Sequence, residues 1–158
     1  VSNDGERFVV ERKVAQLSDL VQTVTEDEVR FLSFNDEIPL PDVKSTVLNK
    51  VLEFCRQHAD APMPAIEKPL KSADLAECGV PEWDVKYVDC EQEMLFELVL
   101  AANYLDIKPL LDLSCAKVAS LIKGKTPEEI RKTFNIVNDF TPEEERQVRE
   151  ENRWCEET

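Results

Sequence analysis

One short stretch of this chain sets side chains of catalytic or metal-binding type close together: Cys55-Arg56-Gln57-His58, a thiol and an imidazole at C-x-x-H spacing. A structural zinc site takes about four such ligands, and His58 is the sole histidine in 158 residues. The remaining cysteines, Cys78, Cys90, Cys115 and Cys155, form no CxxC pair, so no zinc framework is implied and no metal is expected. Any Ser-His-Asp triad would also have to use His58, and no G-x-S-x-G elbow accompanies it. A cysteine nucleophile needs an electropositive setting, whereas Cys90 and Cys155 sit among acids. Three glycines in all leave no phosphate-cradling loop. Glu143-Glu144-Glu145 lacks the spacing of a calcium loop and reads as negative charge favourably placed in the first turn of a helix. The expectation is a protein that is not an enzyme and carries no cofactor.

Charge narrows the partners. Lys and Arg number 19 against 33 Asp and Glu, a net charge of −14 and a pI near 4.5. Such a surface repels phosphate backbones and anionic membranes, so neither nucleic acid nor a membrane is expected as partner. No apolar run approaches the roughly 18 residues of a membrane span. At 42% hydrophobic residues the chain can bury a core. Five widely spaced cysteines, with Cys55 and Cys115 inside apolar helical patterns, read as reduced thiols and hence as a protein of the cytoplasm or nucleus.

The elements that must carry these residues follow from periodicity. Asn3-Asp4-Gly5 is a turn, and the alternation of Phe8 and Val10 with Arg7, Val9 and Glu11 predicts a short strand. Val14, Leu17, Leu20 and Val21 fit one helical face, and a further strand is expected near Phe31-Leu32. Ile38-Pro39-Leu40-Pro41 is extended, because proline bars a helix there. A helix with Val47, Leu48, Val51, Leu52 and Cys55 on one face should end near His58. Four prolines in 59–82 predict a flexible loop. Asp89 should cap the helix Gln92–Leu105, which is apolar almost all round, so it is either central or meets a partner. A helix over about 109–123 stops at Gly124. Thr126-Pro127-Glu128-Glu129 and Thr141-Pro142-Glu143-Glu144 are two cap boxes that open two short helices. These last helices offer little core, and helices so short are marginal alone. Another protein is therefore expected to finish them.

Long runs of the sequence resemble one family. Residues Leu95 to Lys108, Ile122 to Ile136, Asn138 to Glu145 and Glu151 to Cys155 are similar to the Skp-type adaptor subunits of SCF (Skp–cullin–F-box) ubiquitin ligases. Ser2 to Glu6 and Pro39-Leu40-Pro41 match less closely. The stretch 13–36 and the loop 59–82 depart from the family pattern.

The resemblance implies an α/β chain: a POZ (BTB)-type fold over 1–123, with a small sheet flanked by helices, then C-terminal helices over 124–158 that complete their packing with an F-box. It implies a non-catalytic adaptor that bridges F-box substrate receptors to a cullin scaffold. The competing reading is a structural F-box-binding subunit of a non-ligase complex, such as a kinetochore assembly. Asn103 and Tyr104 map to the cullin-contacting stretch. The F-box surface is assigned to Phe96, Val99, Leu111, Cys115, Val118, Ile122, Ile130, Phe134, Ile136, Val148 and Trp154. Pro142 matches a proline that is hydroxylated and glycosylated in some protist members. Apart from the resemblance, exposed apolar helices are compatible with a homodimer of the free protein at high concentration.

Overall fold

A computed structural model describes residues 1–27 and 37–153. It holds eight helices among those residues: α1 Arg12–Ala15, α2 Asp19–Asp27, α3 Ser45–His58, α4 Glu82–Tyr87, α5 Gln92–Tyr104, α6 Lys108–Ile122, α7 Pro127–Thr133 and α8 Pro142–Glu151. The chain divides into two compact units, Val1–Lys123 and Gly124–Thr158.

The expected small sheet, and with it the α/β class, is corrected. Among the described residues there is no strand. The reason is visible in the backbone bonds around Val1. Its N–H donates to the Ile38 carbonyl at 2.8 Å, and the Leu40 N–H donates back to the Val1 carbonyl at 2.8 Å. That exchange is one rung of a parallel ladder. The next residues leave the register: Ser2 N–H turns to Glu6, Asn3 N–H reaches Val43, and Gly5, at φ +81°, closes a turn onto Ser2. One rung is not a sheet. The segment at Phe8 and Val10 keeps its alternation, with both side chains packed on the core and Val9 out in solvent. The strand expected at Phe31-Leu32 lies outside the described residues.

The core of the first unit sits where α5 packs against α6 and α3. Leu98, Leu110, Leu113, Phe54 and Val51 are fully buried there, each contributing about 1.5–3 kcal/mol of burial. The helix expected from Val14, Leu17, Leu20 and Val21 is two pieces, because Ser18 intervenes. Its hydroxyl accepts from the Val21 N–H at 3.2 Å, capping α2, and donates to the Leu105 carbonyl. Helix α3 also has an unexpected cap. The carboxylate of Asp4, forty-one residues away, accepts from Ser45 N–H at 3.1 Å and from the Ser45 hydroxyl at 2.5 Å.

Asp89 does not cap α5. The N-cap is Glu91, without a side-chain bond, and Asp89 pairs instead with Lys117 at 3.0 Å. At its far end α5 closes in a Schellman motif: Asp106 takes φ +51°, Asp106 N–H bonds Asn103, and Ile107 N–H bonds Ala102 at 2.9 Å. In the second unit both expected cap boxes form, Thr126 with Glu129 and Thr141 with Glu144. Neither α7 nor α8 contains a buried residue.

Candidate interaction surface

Helix α6 is apolar on two faces, and only one of them is spent on the core. Leu110, Leu113, Ser114 and Ala116 are buried. Leu111, Cys115, Val118 and Ile122, spaced 4, 3 and 4, form a second stripe about a third of a turn away. Cys115 and Ile122 are exposed, and Leu111 and Val118 are half-buried. Helix α5 repeats the arrangement. Leu95, Leu98, Ala101 and Ala102 go inward, while Phe96, Val99, Leu100 and Asn103 share another face at helical spacing. Phe96 is 40% exposed and Leu100 67%. Leu100 is a large exposed apolar residue on this face that the sequence assignment had left out. Its signal was present, since a helix apolar all round must show some of its side chains to solvent or to a partner.

Asn103 and Tyr104 end α5. Asn103 is exposed, whereas Tyr104 is half-buried and packs on the core. A quarter turn separates them on the helix, so they present adjacent faces.

In the second unit Ile130 and Phe134 are half-buried, and Ile136 and Val148 are exposed. Val137 and Phe140, in the connector between α7 and α8, are exposed too, at 82% and 46%. Ion pairs tie α7 to α8. Arg131 pairs with Glu145 at 3.3 Å, Arg149 lies 3.6 Å from the same carboxylate, and Arg149 also pairs with Glu128. The Arg131 guanidinium stands 6.0 Å over the Phe140 ring. Pro142 opens α8 at the first helical position and is exposed. Trp154 lies outside the described residues.

The residues singled out for chemistry are otherwise engaged. His58 is buried, its Nε2 2.7 Å from Asp84 Oδ1 and its Nδ1 2.9 Å from the Ala61 carbonyl. An oxygen atom thus stands at each ring nitrogen. The rings of Phe54 and Trp83 lie against it, and Trp83 in turn stacks on Tyr87 at 5.1 Å. Cys55 is buried, and that burial pushes its thiol up to about 11, away from reactivity at neutral pH. No group of three or more potential metal ligands occurs among the described residues. No described helix is long and apolar enough to cross a membrane.

Comparison with known proteins gives two family matches. Residues 1–60 match the model of the Skp1 family, tetramerisation domain, and residues 108–155 that of the Skp1 family, dimerisation domain. The chain is 54% identical to the S-phase kinase-associated protein 1 homolog of Tetrahymena thermophila, over 99% of this chain and 92% of that protein. It is 49% identical to the E3 ubiquitin ligase complex SCF subunit sconC of Arthroderma benhamiae, over 99% and 93%. It is also 49% identical to the SCF ubiquitin ligase complex protein SKP1a of Dictyostelium discoideum, over 98% and 93%.

Proposed function

Because the chain belongs to the Skp1 family, we propose that it is the adaptor of an SCF-type E3 ubiquitin ligase, joining F-box substrate receptors to a cullin scaffold. The observation that carries this reading is the surplus of apolar surface on capped helices. Cys115 and Ile122 of the α6 stripe, Leu100 of α5, and α7–α8 with no buried residue leave more apolar surface open than a self-sufficient domain keeps. An amphipathic partner that fills such surface gains most where aromatic and large aliphatic anchors are buried.

In this reading residues 1–123 carry the cullin-facing side and the α5–α6 part of the F-box surface, and residues 124–158 supply the remainder. Phe96, Val99, Leu111, Cys115, Val118, Ile122, Ile130, Phe134, Ile136, Val148 and Trp154 take the F-box. Asn103 and Tyr104 face the cullin, with the Tyr104 ring providing area and its hydroxyl a polar handle. Pro142, exposed at the start of α8, is the position for hydroxylation and glycosylation. The protein does no chemistry. It holds a receptor and its substrate at a set distance from the ligase's catalytic end, and rate comes from local concentration. Free thiols at Cys55, Cys78, Cys90 and Cys115 suit a cytoplasmic and nuclear location.

The test is reconstitution. The chain is co-expressed with an F-box domain, purified, and offered a cullin N-terminal domain while the mass of the complex is followed by light scattering. One stoichiometric ternary complex is expected, with cullin lost and F-box retained in an Asn103→Ala/Tyr104→Ala variant. An F-box complex that never takes up cullin would place the protein in a non-ligase assembly. Failure to bind any F-box domain would end the adaptor reading.

A further inference from the structure

Between α3 and α4 the chain returns across the first unit, and one short part of that connection lies beside the α6 stripe. Leu75 and Val80 are buried and fix the later part of the loop to the core. The earlier part, Ile66–Leu70, is held differently. Lys68 Nζ pairs with Asp112 Oδ1 at 2.5 Å, near the start of α6, and Lys123 Nζ, just past its end, donates to the Leu70 carbonyl at 2.8 Å. Ile66 and Leu70 pack half-buried against the core. The segment is therefore a strap laid along α6 and pinned near both ends of the helix.

The strap leaves an open groove of about 340 Å³ between itself and the helix. Ile66 and Leu70 stand on one side, and Cys115 and Ile122 on the other. Ala119 forms part of the lining, and its short side chain leaves depth. Cys115 and Ile122 also belong to the exposed stripe, so groove and stripe are one continuous apolar surface. The charged groups at the rim are already answered, Lys68 by Asp112 and Lys123 by a carbonyl. What the groove offers is an apolar slot of the size that specific ligand pockets have.

We infer that the Ile66–Leu70 strap is a wall of the F-box-binding surface, and that the groove it makes with α6 receives an apolar side chain of the F-box domain. This rests on the adaptor reading, since the stripe must face the F-box for the groove to be filled. The strap thereby makes a loop, rather than the helices alone, a determinant of which F-box domains fit. A leucine, isoleucine or phenylalanine on the docked F-box helix is accepted, and a charged side chain at that point is excluded, because burying an unpaired charge is costly.

Calorimetric titration of an F-box domain onto the full chain tests the wall. Leu70→Asp is expected to weaken binding about tenfold, the loss of one well-buried apolar contact. Lys71→Ser, next to the strap but outside the groove, is expected to bind as the parent does. Hydrogen exchange on the unaltered protein is the second measurement, because it needs no substitution and leaves folding unperturbed. Amides of residues 66–70 should exchange several-fold more slowly in the F-box complex than in the free chain. Unchanged affinity in a folded Leu70→Asp variant overturns the inference while leaving the adaptor intact. Exchange over 66–70 that is unchanged or faster on binding also overturns it, the faster case showing a strap that lifts away. If the parent chain binds no F-box domain, the adaptor reading falls first and the wall with it.

Discussion

Ile107 and Ile136 occupy the same position in two Schellman motifs. Each follows a left-handed residue, Asp106 at φ +51° and Asn135 at φ +53°, and each sends its N–H back to the preceding helix, to Ala102 and to Arg131. An apolar residue there usually packs on the helix it has just left. Ile107 does and is 1% exposed, whereas Ile136 is 55% exposed. Identical local geometry therefore has opposite tertiary consequences. Ile107→Ala should cost about 2–5 kcal/mol in urea unfolding, as buried aliphatic truncations do. Ile136→Ala should leave stability within about 0.5 kcal/mol and show its effect as weaker F-box affinity by calorimetry.

His58 and Asp84 join the end of α3 to α4 across the long loop, with Asp84 Oδ2 buried and without a hydrogen-bond partner among the described residues. Removing one member of a buried pair strands the other, so Asp84→Ala should destabilise by about 3–5 kcal/mol. Replacing both residues with apolar side chains should cost less than the sum of the two single changes. Chemical denaturation of the two single variants and the double variant closes the cycle, and strict additivity would contradict the coupling.

Asp4 gives stability a dependence on acid. The Ser2 hydroxyl first, and then that of Ser45, hold its carboxyl below the ordinary value of 3.8. A carboxyl lowered in the folded state binds its proton more readily when unfolded. Its contribution is thus fully present above that ordinary value and is lost as pH falls through the lower folded value. The denaturation midpoint of the parent should fall more steeply below about pH 4 than that of Asp4→Asn, which keeps the shape and cannot titrate. Parallel profiles would show that the cap of α3 does not depend on this charge.

Salt should separate the two units. Helices α7 and α8 are tied by Arg131, Arg149, Glu128 and Glu145, all at least partly exposed, and contain no buried residue. At about 1 M salt the screening length falls to about 3 Å. Hydrogen exchange over 127–151 should then quicken, while amides of α3, α5 and α6 stay protected by their buried core. Equal response in both units would show that charge is not what holds the last two helices together.

Much of this protein was legible from local pattern, because caps and helical faces are decided by neighbours in sequence. Both Thr-Pro-Glu-Glu boxes formed as read, α3 ended at His58, and Gly124 took the left-handed conformation after α6. The long matching runs identified the family, and the all-round apolarity of α5 left two readings open, a central helix or one that meets a partner.

What the sequence could not decide were pairings made across distance. The alternation at Phe8 and Val10 looked like a strand, and it is an extended segment with a single rung at Val1, because a ladder needs a second chain segment in register. Asp89 had the right type and spacing to cap α5, but Lys117 from α6 claims it. The cap on α3 comes from Asp4, and the strap beside α6 depends on Lys68 meeting Asp112 and Lys123 meeting Leu70. Local preferences are worth tenths of a kcal/mol to about 1 kcal/mol per residue. Packing and pairing between distant segments outweigh them, and only the folded chain shows which segments meet.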